Sequence, residues 1–335
     1  MNQLQRPPAA SAGLAVSARG LEKRFGDLRA VDGIDLDVER GIIFAILGPN
    51  GAGKTTLMRM LATLSRPDGG AATVAGHDLL ADAAAVRGEI AMTGQFASLD
   101  EDLTGRENLI LLARLWGFRG AEAGRRADEL LAAFDLSDAA RKQVKDYSGG
   151  MRRRLDISAS LIVTPSILFL DEPTTGLDPK ARQDVWRMIR GLAQSGVTIL
   201  LTTQYLEEAD QLASRIAVID HGRKIAEGTS RELKAQTGSG FLHVTLAEPR
   251  DLDRAAALLS ARLGGTVKPN VEGASLSAMA PTAADANAAI AALIADGVEL
   301  SDFAMGQPSL DEVFFALTGR MNPETEAEPA MGEPR

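Results

Sequence analysis

This chain of 335 residues lacks cysteine, long hydrophobic runs and a net positive charge. The chain has no cysteine at all, which excludes disulfides and thiolate metal sites and fits a reducing compartment. No segment approaches the roughly 18 consecutive apolar residues that cross a bilayer. The first 13 residues contain two prolines and no apolar core, so we expect no signal peptide. We therefore expect a cytoplasmic chain, and any membrane process that it serves needs a separate chain to cross the membrane.

The charge balance is acidic rather than basic. Asp and Glu number 45 against 36 Lys and Arg, which gives a formal net charge of -9. Proteins that bind nucleic acid usually present a basic face, so this balance argues against a nucleic-acid partner. Hydrophobic residues make up 45% of the chain, as in ordinary globular proteins, and the length suits one large domain and one small one.

Short apolar strands alternate with helical patterns through the first two thirds of the chain. The predicted strands cover 14–16, 34–38, 42–47, 166–170 and 197–202. The predicted helices cover 55–63 and 107–134, and a third begins at Ser148. This alternation predicts an α/β fold in which helices cover a mostly parallel sheet.

The last third of the chain has a different order of elements. Gln-Thr-Gly-Ser-Gly at 236–240 breaks the earlier pattern. Beyond it, strands and helices in the order β-α-β-β-α-β predict a small ferredoxin-like domain, followed by a closing helix at 309–317. The final residues are rich in Pro and Glu, so we expect disorder there. The predicted flexible leader, main domain, accessory domain and disordered tail cover 1–13, 14–235, 241–319 and 320–335.

A glycine-rich loop carries the first functional motif. Residues 48–55 fit the pattern G-x-x-x-x-G-K-[ST], follow a predicted strand and open a predicted helix. Glycines let the backbone wrap phosphates, and the helix N-terminus adds positive charge. Lys54 is expected to reach the β- and γ-phosphates, and Thr55 to ligate Mg²⁺. The predicted nucleotide-binding residues of this loop are Gly48, Pro49, Asn50, Gly51, Ala52, Gly53, Lys54, Thr55 and Thr56.

A second predicted buried strand ends in two carboxylates, Asp171 and Glu172. The carboxyl end of a parallel strand faces the ligand crevice in open α/β sheets. We expect Asp171 to hold Mg²⁺, in part through water, and Glu172 to polarise the attacking water. The alternative is a strand that merely ends in a charged turn, and the phosphate loop earlier in the chain weighs against it.

The third motif is Ser148-Gly149-Gly150, which stands where a helix begins. Serine is a good helix N-cap, so one interpretation is an ordinary capped helix. The other is that the hydroxyl and the glycine N–H groups bind a γ-phosphate. The two interpretations share one geometry, because a capped helix start is also an anion site.

In this order the motifs resemble the ATPase subunit of ABC (ATP-binding cassette) transporters. The family signature is usually Leu-Ser-Gly-Gly-Gln, whereas this chain has Tyr147 first and Met151 last. Gln95 stands between the phosphate loop and the signature, as a family glutamine does. The resemblance covers about residues 14–320.

The resemblance implies ATP and Mg²⁺ as cofactors and a second copy of the chain as partner. In this family the signature acts on the ATP of the other subunit, so two copies stack head to tail with two ATP molecules between them. The resemblance also implies that Phe25 stacks on adenine and that Gln95 contacts Mg²⁺ and the attacking water. Asp178 falls in the loop that crosses to the opposite subunit.

One position departs from the family pattern. Gln204 stands where the family usually has a histidine that contacts the γ-phosphate. Glutamine can donate a hydrogen bond but carries no positive charge, so we expect weaker γ-phosphate sensing. This departure, the flanks of the signature and residues 308–319 are all similar to the daunorubicin-resistance type of ABC ATPase. For 308–319, an amphipathic closing helix is the simpler interpretation, and both can hold.

The resemblance implies an ATP-hydrolysing subunit on the cytoplasmic face of the cell membrane, bound there to integral membrane permease subunits. ATP closes two copies, and closure moves the permease through the helical region between Gln95 and Ser148. Hydrolysis then reopens the dimer and drives export of a drug or antibiotic. The residues expected to act in hydrolysis are Glu172, Lys54, Gln95 and Gln204. Four alternatives stay open: a different exported substrate, an importer, a soluble ABC ATPase outside transport, and an ATP switch with little turnover.

Overall fold

The computed structural model describes residues 13–93, 99–236, 240–265, 267–270, 273–306, 309–310 and 312–314. The chain divides into two compact units, the first ending at Thr229 and the second beginning at Ser230. The sequence pattern had placed the end of the main domain at 235. The predicted tail at 320–335 and all but the last residue of the predicted leader lie outside the described residues. Within the described ranges, no helix combines the length and apolarity that a membrane span requires.

The first unit contains two sheets and seven α-helices among its described residues. Its strands are β1 (Leu14–Phe25), β2 (Leu28–Glu39), β3 (Ile43–Leu47), β4 (Gly69–Val74), β5 (His77–Asp78), β6 (Ile90–Thr93), β7 (Ile167–Asp171), β8 (Thr198–Thr203), β9 (Arg215–Asp220) and β10 (Arg223–Gly228). Its helices are α1 (Lys54–Leu61), α2 (Ala83–Glu89), α3 (Gly105–Leu115), α4 (Ala121–Ala133), α5 (Gly149–Ala159), α6 (Pro179–Gln194) and α7 (Leu206–Leu212).

The larger sheet has six strands in the order β10-β9-β3-β8-β7-β6. All its neighbouring strands are parallel except β9 and β10. Every residue of β3, β7 and β8 is buried, as expected of central strands that are covered on both faces. The predicted α/β fold is therefore confirmed, and the carboxyl ends of these three strands meet at one edge of the sheet.

The smaller sheet is antiparallel, in the order β2-β1-β4-β5. Its inner face shares one hydrophobic core with the six-stranded sheet and α1, where Leu21 and Ile34 join Phe44, Leu57 and Phe169. Burying side chains of this size contributes about 1.5–3 kcal/mol each. The shared core fixes the loop between β3 and α1 against both sheets.

The helical region differs from the sequence prediction at one point. The pattern from 107 to 134 predicted one helical stretch, but α3 ends at Leu115 and α4 begins at Ala121. Gly117 and Gly120 between them have φ of 94° and 52°, a left-handed backbone that glycine adopts without steric cost. A capping box of Thr104 and Glu107 fixes the start of α3.

The second unit begins with a helix that the sequence pattern did not predict and then has the predicted order of elements. It comprises α8 (Ser230–Gln236), β11 (Phe241–Leu246), α9 (Leu252–Leu263), β12 (Val267–Asn270), β13 (Ser275–Met279), α10 (Ala283–Ala295) and β14 (Leu300–Gly306). The four strands form an antiparallel sheet in the order β12-β13-β11-β14, which is the order of a split β-α-β sandwich. Of the predicted closing helix at 309–317, residues 310 and 312–314 are helical, Ser309 is not, and 311 and 315–317 lie outside the described residues.

Candidate nucleotide site

The phosphate loop joins the end of β3 to the start of α1, as the sequence predicts. A Cβ atom on Gly48 would lie 2.1 Å from the carbonyl oxygen of Ile219, and one on Gly53 would lie 2.1 Å from that of Ala30. Gly53 also has φ of 102°, so only glycine fits there. The N–H groups of the first turn of α1 have no partner within the helix, and together with the helix dipole they favour an anion.

Lys54 is buried inside this loop. Its Nζ donates to the carbonyl oxygens of Gly48 at 2.8 Å and Pro49 at 3.0 Å, and it lies 3.6 Å from Oε1 of Glu172. Burial lowers the pKa of Lys54 from its usual value, and the negative charge of Glu172 opposes that shift. The ammonium group is therefore held where it can exchange its carbonyl partners for the oxygens of a bound anion.

Asp171 and Thr55 bring two oxygen donors together. Thr55 Oγ1 donates to Oδ1 of Asp171 at 3.1 Å, and Thr202 Oγ1 donates to the same oxygen. A hydroxyl and a carboxylate are suitable ligands for Mg²⁺, which is commonly held by one or two carboxylates together with substrate phosphates. Gln95, the third predicted metal ligand, lies outside the described residues. Among the described residues, no group of three or more His, Cys, Asp or Glu side chains could hold a metal ion.

Glu172 has an unusual backbone. Its φ is 47°, a left-handed conformation that costs a residue with a side chain about 1–2 kcal/mol. Its N–H donates to the carbonyl oxygen of Thr202 at 3.1 Å and to Oγ1 of the same residue at 3.0 Å. The carboxylate lies between Lys54 on one side and Thr175, whose hydroxyl donates to Oε2 at 3.3 Å. The surrounding fold thus holds a strained residue in place beside the phosphate loop.

The Ser-Gly-Gly motif forms the start of α5. Ser148 is the N-cap, and its Oγ accepts from the N–H of Met151 at 3.3 Å. A Cβ on Gly150 would lie only 2.7 Å from Cβ of Ala181 on α6, so α5 and α6 pack closely here. Within the described residues, Ser148, Gly149 and Gly150 form no hydrogen bond with the phosphate loop of the same chain.

The other predicted site residues occupy three different places. Phe25 ends β1 with 55% of its surface exposed, and Nζ of Lys23 lies 5.6 Å from the centre of its ring. Asp178 caps α6 by accepting from the N–H of Ala181 at 2.9 Å. Gln204 follows β8 directly, at the sheet edge that carries the phosphate loop. The hydrogen bonds and the ion pair above connect Lys54, Thr55, Asp171 and Glu172 into one cluster.

Glu208 on α7 is a buried carboxylate that the sequence patterns did not predict. Its Oε1 accepts from Thr174 Oγ1 at 2.8 Å and from Trp186 Nε1 at 3.0 Å. Burial raises the pKa of Glu208 above its usual value, and these hydrogen bonds oppose the shift. The available signal was helical spacing, since Glu208 precedes the buried Leu212 by four residues and so shares its inner face.

The comparisons with known proteins agree with this geometry. A family model described as ABC transporter matches residues 31–175. The chain is 53% identical to the daunorubicin/doxorubicin resistance ATP-binding protein DrrA of Streptomyces peucetius, over 95% of this chain and 97% of that protein. It is 45% identical to the Nod factor export ATP-binding protein I of Ralstonia nicotianae, over 68% and 72%. Its fold is similar to a dimeric ATP-binding cassette in a post-hydrolysis state bound to ADP and Pi, with a TM-score of 0.57 and 26% identity over 64% of this chain and 98% of that one.

Proposed function

We propose, since this chain belongs to the daunorubicin-resistance branch of ABC transporter ATP-binding subunits, that it energises export of a drug or antibiotic through a separate membrane permease. The cluster of Lys54, Thr55, Asp171 and Glu172 at the carboxyl ends of β3 and β7 carries the ATPase part of this proposal, and the 53% identity to a daunorubicin/doxorubicin resistance ATP-binding protein carries the export part. The chain is an ATPase of the ABC type. The exported compound would be recognised by the permease and not by this chain.

In this proposal the residues of the site have separate roles in ATP hydrolysis. The backbone N–H groups of the loop and Lys54 bind the β- and γ-phosphates, and the exposed face of Phe25 stacks on adenine. Thr55, Asp171 and Gln95 hold Mg²⁺, which when bound neutralises the phosphate charge. Glu172 accepts a hydrogen bond from the attacking water and orients it, and Gln204 donates to the γ-phosphate through its amide.

Two copies of the chain form the working unit in this proposal. Ser148, Gly149 and Gly150 form a capped helix start that can bind an anion, and no hydrogen bond within the described residues ties them to their own phosphate loop. In the ABC family this motif acts on the ATP of the other subunit, so in this proposal these residues contact the ATP that a second copy holds, in a head-to-tail dimer with two ATP molecules between the copies. Asp178 lies in the loop that crosses to that copy.

The permease partner has a candidate contact surface in the helical region. Leu115 is 75% exposed and Trp116 is 58% exposed at the end of α3, and Leu64 nearby in the fold is 60% exposed. A groove of about 390 Å³ is lined in part by Leu64, Met92 and Trp116. Exposed apolar side chains around a groove are typical of a protein contact. Docking there would hold the chain at the cytoplasmic face of the membrane.

The domain assignment is part of the same proposal. Residues 14–235 serve as the ATPase domain. Residues 241–319 serve as an accessory domain that supports the dimer or docks to the permease. The alternatives of another exported substrate, an importer or a soluble ATPase share the ATP site, so the permease and its substrate must decide among them. The similarity to a Nod factor export protein favours a different exported substrate as the second candidate.

The variant Glu172→Gln tests the proposed hydrolysis. The side-chain volume stays while the negative charge is lost, so we expect ATP hydrolysis to fall by about 10²- to 10⁴-fold with ATP binding retained. The matched control is Glu129→Gln on α4, whose side chain is 64% exposed, and it should keep the parent rate. An unchanged rate in Glu172→Gln would show that Glu172 is not the base.

Drug accumulation in cells tests the export itself. Cells that express the chain together with its permease should accumulate less drug than cells without the pair, and Glu172→Gln should abolish that difference. Equal accumulation with and without the pair, alongside normal ATP hydrolysis, would reject drug export and leave the ATPase in place.

A further inference from the structure

Arg153 on α5 contacts the backbone on both sides of Glu172. Its Nε donates to the carbonyl oxygen of Pro173 at 2.9 Å, and its Nη2 donates to that of Asp171 at 3.2 Å. These two residues are the immediate neighbours of Glu172 in the chain. The planar guanidinium therefore spans the residue that carries the proposed base.

The charge of Arg153 is buried but paired. Only 14% of its side chain is exposed, and its Nη1 lies 3.2 Å from Oδ2 of Asp156, whose side chain is 7% exposed. Burial lowers the pKa of Arg153, and the charge of Asp156 opposes that shift, so the guanidinium stays charged. A guanidinium group that is buried, paired and rigid is suited to fixing the position of two carbonyl groups.

Glu172 needs such support because of its backbone. Its φ of 47° is a strained conformation that persists only where the surroundings impose it. On one side, β8 holds the N–H of Glu172 through Thr202. On the other side, α5 holds the two flanking carbonyls through Arg153. The direction of the Glu172 carboxylate is thus set jointly by a strand and by the helix that begins at Ser148.

We propose that Arg153 is a positioning residue that couples Glu172 to the helix facing the ATP of the second copy. This proposal rests on the proposed function, in which Ser148 to Gly150 contact the partner's ATP while Glu172 acts on the ATP of its own chain. Contact at the start of α5 then fixes Arg153 one turn further along the same helix. Occupation of one ATP site therefore orients the base of the other, and the two sites hydrolyse ATP cooperatively.

Arg153→Lys is the variant that tests the coupling. Lysine keeps the positive charge beside Asp156 but cannot bridge two carbonyls with a planar fork. We expect turnover at saturating ATP to fall by about 10- to 100-fold, since small displacements of a catalytic group have effects of this size. Equilibrium binding of ATP should change by less than about twofold because the phosphate loop is untouched. The Hill coefficient for ATP should fall towards one.

Arg126→Lys on α4 is the matched control. Arg126 also donates to two successive carbonyl oxygens, those of Leu161 at 2.8 Å and Ile162 at 3.0 Å, but it lies away from the phosphate loop and Glu172 in sequence and in hydrogen bonding. The variant Arg126→Lys removes the same kind of contact as Arg153→Lys, so both variants should lose similar amounts of stability. Arg126→Lys should keep the turnover and the Hill coefficient of the parent chain.

Three results would overturn the proposal, all measured on the purified full-length chain with Mg-ATP. Equal turnover and Hill coefficient in the two lysine variants would show that Arg153 does not position Glu172. A joint loss of ATP affinity, unfolding midpoint and turnover would make Arg153 a structural residue only. If Arg153→Lys does not fold, the double variant Arg153→Gln, Asp156→Asn removes the pair without leaving a lone charge, and normal turnover there would be equally decisive. Failure of the proposed function is distinct, since the parent chain itself would then show no hydrolysis or no ATP-dependent dimer.

Discussion

The tight contact between α5 and α6 makes Gly150→Ala an informative variant. The new Cβ would lie 2.7 Å from Cβ of Ala181, whereas two carbon atoms in contact are best separated by about 3.5–4.0 Å. The two helices must therefore separate by about 1 Å at this point. Both the start of α5 and the Asp178 cap of α6 lie within one turn of the contact, so the displacement reaches the proposed interface with the second copy.

The expected loss of stability in Gly150→Ala can be compared with that in a close control, Gly149→Ala. Overpacking of this kind typically costs 1–3 kcal/mol, and the better helix propensity of alanine returns up to about 1 kcal/mol. We expect a net loss of about 1–2 kcal/mol, or about 2–8 °C in Tm for a unit of this size. In Gly149→Ala the new Cβ would lie 3.5 Å from Leu177, an ordinary contact. That variant should change the stability by no more than about 0.5 kcal/mol.

Urea unfolding of the nucleotide-free chain provides the assay. Trp186 is buried on α6 and donates to Glu208, whereas Trp116 is exposed, so a change in fluorescence on unfolding reports mainly on α6. Adding Ala181→Gly to Gly150→Ala removes the clashing methyl group and should restore part of the stability in a double-mutant cycle. Equal stability of Gly149→Ala and Gly150→Ala, or a cycle without coupling, would refute the argument that steric contact with α6 selects glycine at 150.

Two further predictions concern groups near the end of β8. Because burial raises the pKa of Glu208 above 4.5, the folded state binds more protons than the unfolded state above that pH, and stability is lost as pH rises through the folded-state pKa. Urea unfolding at pH 5.5 and 8 should therefore show the stability of Glu208→Gln rising relative to that of the parent chain at the higher pH, and a pH-independent difference would contradict this. Gln204→His should raise ATP turnover if a weak γ-phosphate contact limits the rate, and unchanged or lower turnover would mean that the site is adapted to glutamine.

The parts of the fold that the sequence predicts are those with continuous local signals. The runs that became β3 and β7 are apolar throughout because both faces are covered, and each is followed by residues of the site. The second unit follows from the order of its elements, because short connections leave few topologies for β-α-β-β-α-β.

The antiparallel sheet is where the sequence pattern was least informative. Within β1 the pattern indicated a strand at 14–16, but the strand continues to Phe25, and the predicted strand at 34–38 is only the later part of β2. Its pairing with β2 shifts register between Ala18 and Leu21, and Gly20 there has φ of 57°. Such a bulge breaks the alternation of buried and exposed residues, so a two-residue period cannot reveal the full strand.

The phosphate loop and the two carboxylates could be predicted because each belongs to one short segment. The roles of Arg153 and Glu208 could not, since they depend on partners that are remote in sequence, although helical spacing alone places Glu208 on a buried face. Arg153 contacts carbonyls 18 and 20 positions away, and Glu208 accepts from residues 34 and 22 positions away. A charged residue in a helical pattern is predicted to be exposed unless its buried partners are known, and only the folded structure shows those partners.

Contacts with groups remote in sequence also explain why the signature begins with Tyr147, where the family usually has leucine. Tyr147 is buried, and its hydroxyl donates to the carbonyl oxygen of Ala139 at 2.8 Å. A Cβ at Gly105 would lie 2.2 Å from that hydroxyl oxygen, so tyrosine at 147 fits because α3 begins with glycine. The departure from leucine is thus accommodated within the helical region of one chain, away from the N–H groups that begin α5. Ser148 and Gly150, by contrast, are fixed by the helix cap and by the contact with α6, which is why the centre of the signature can match the family while its flank does not.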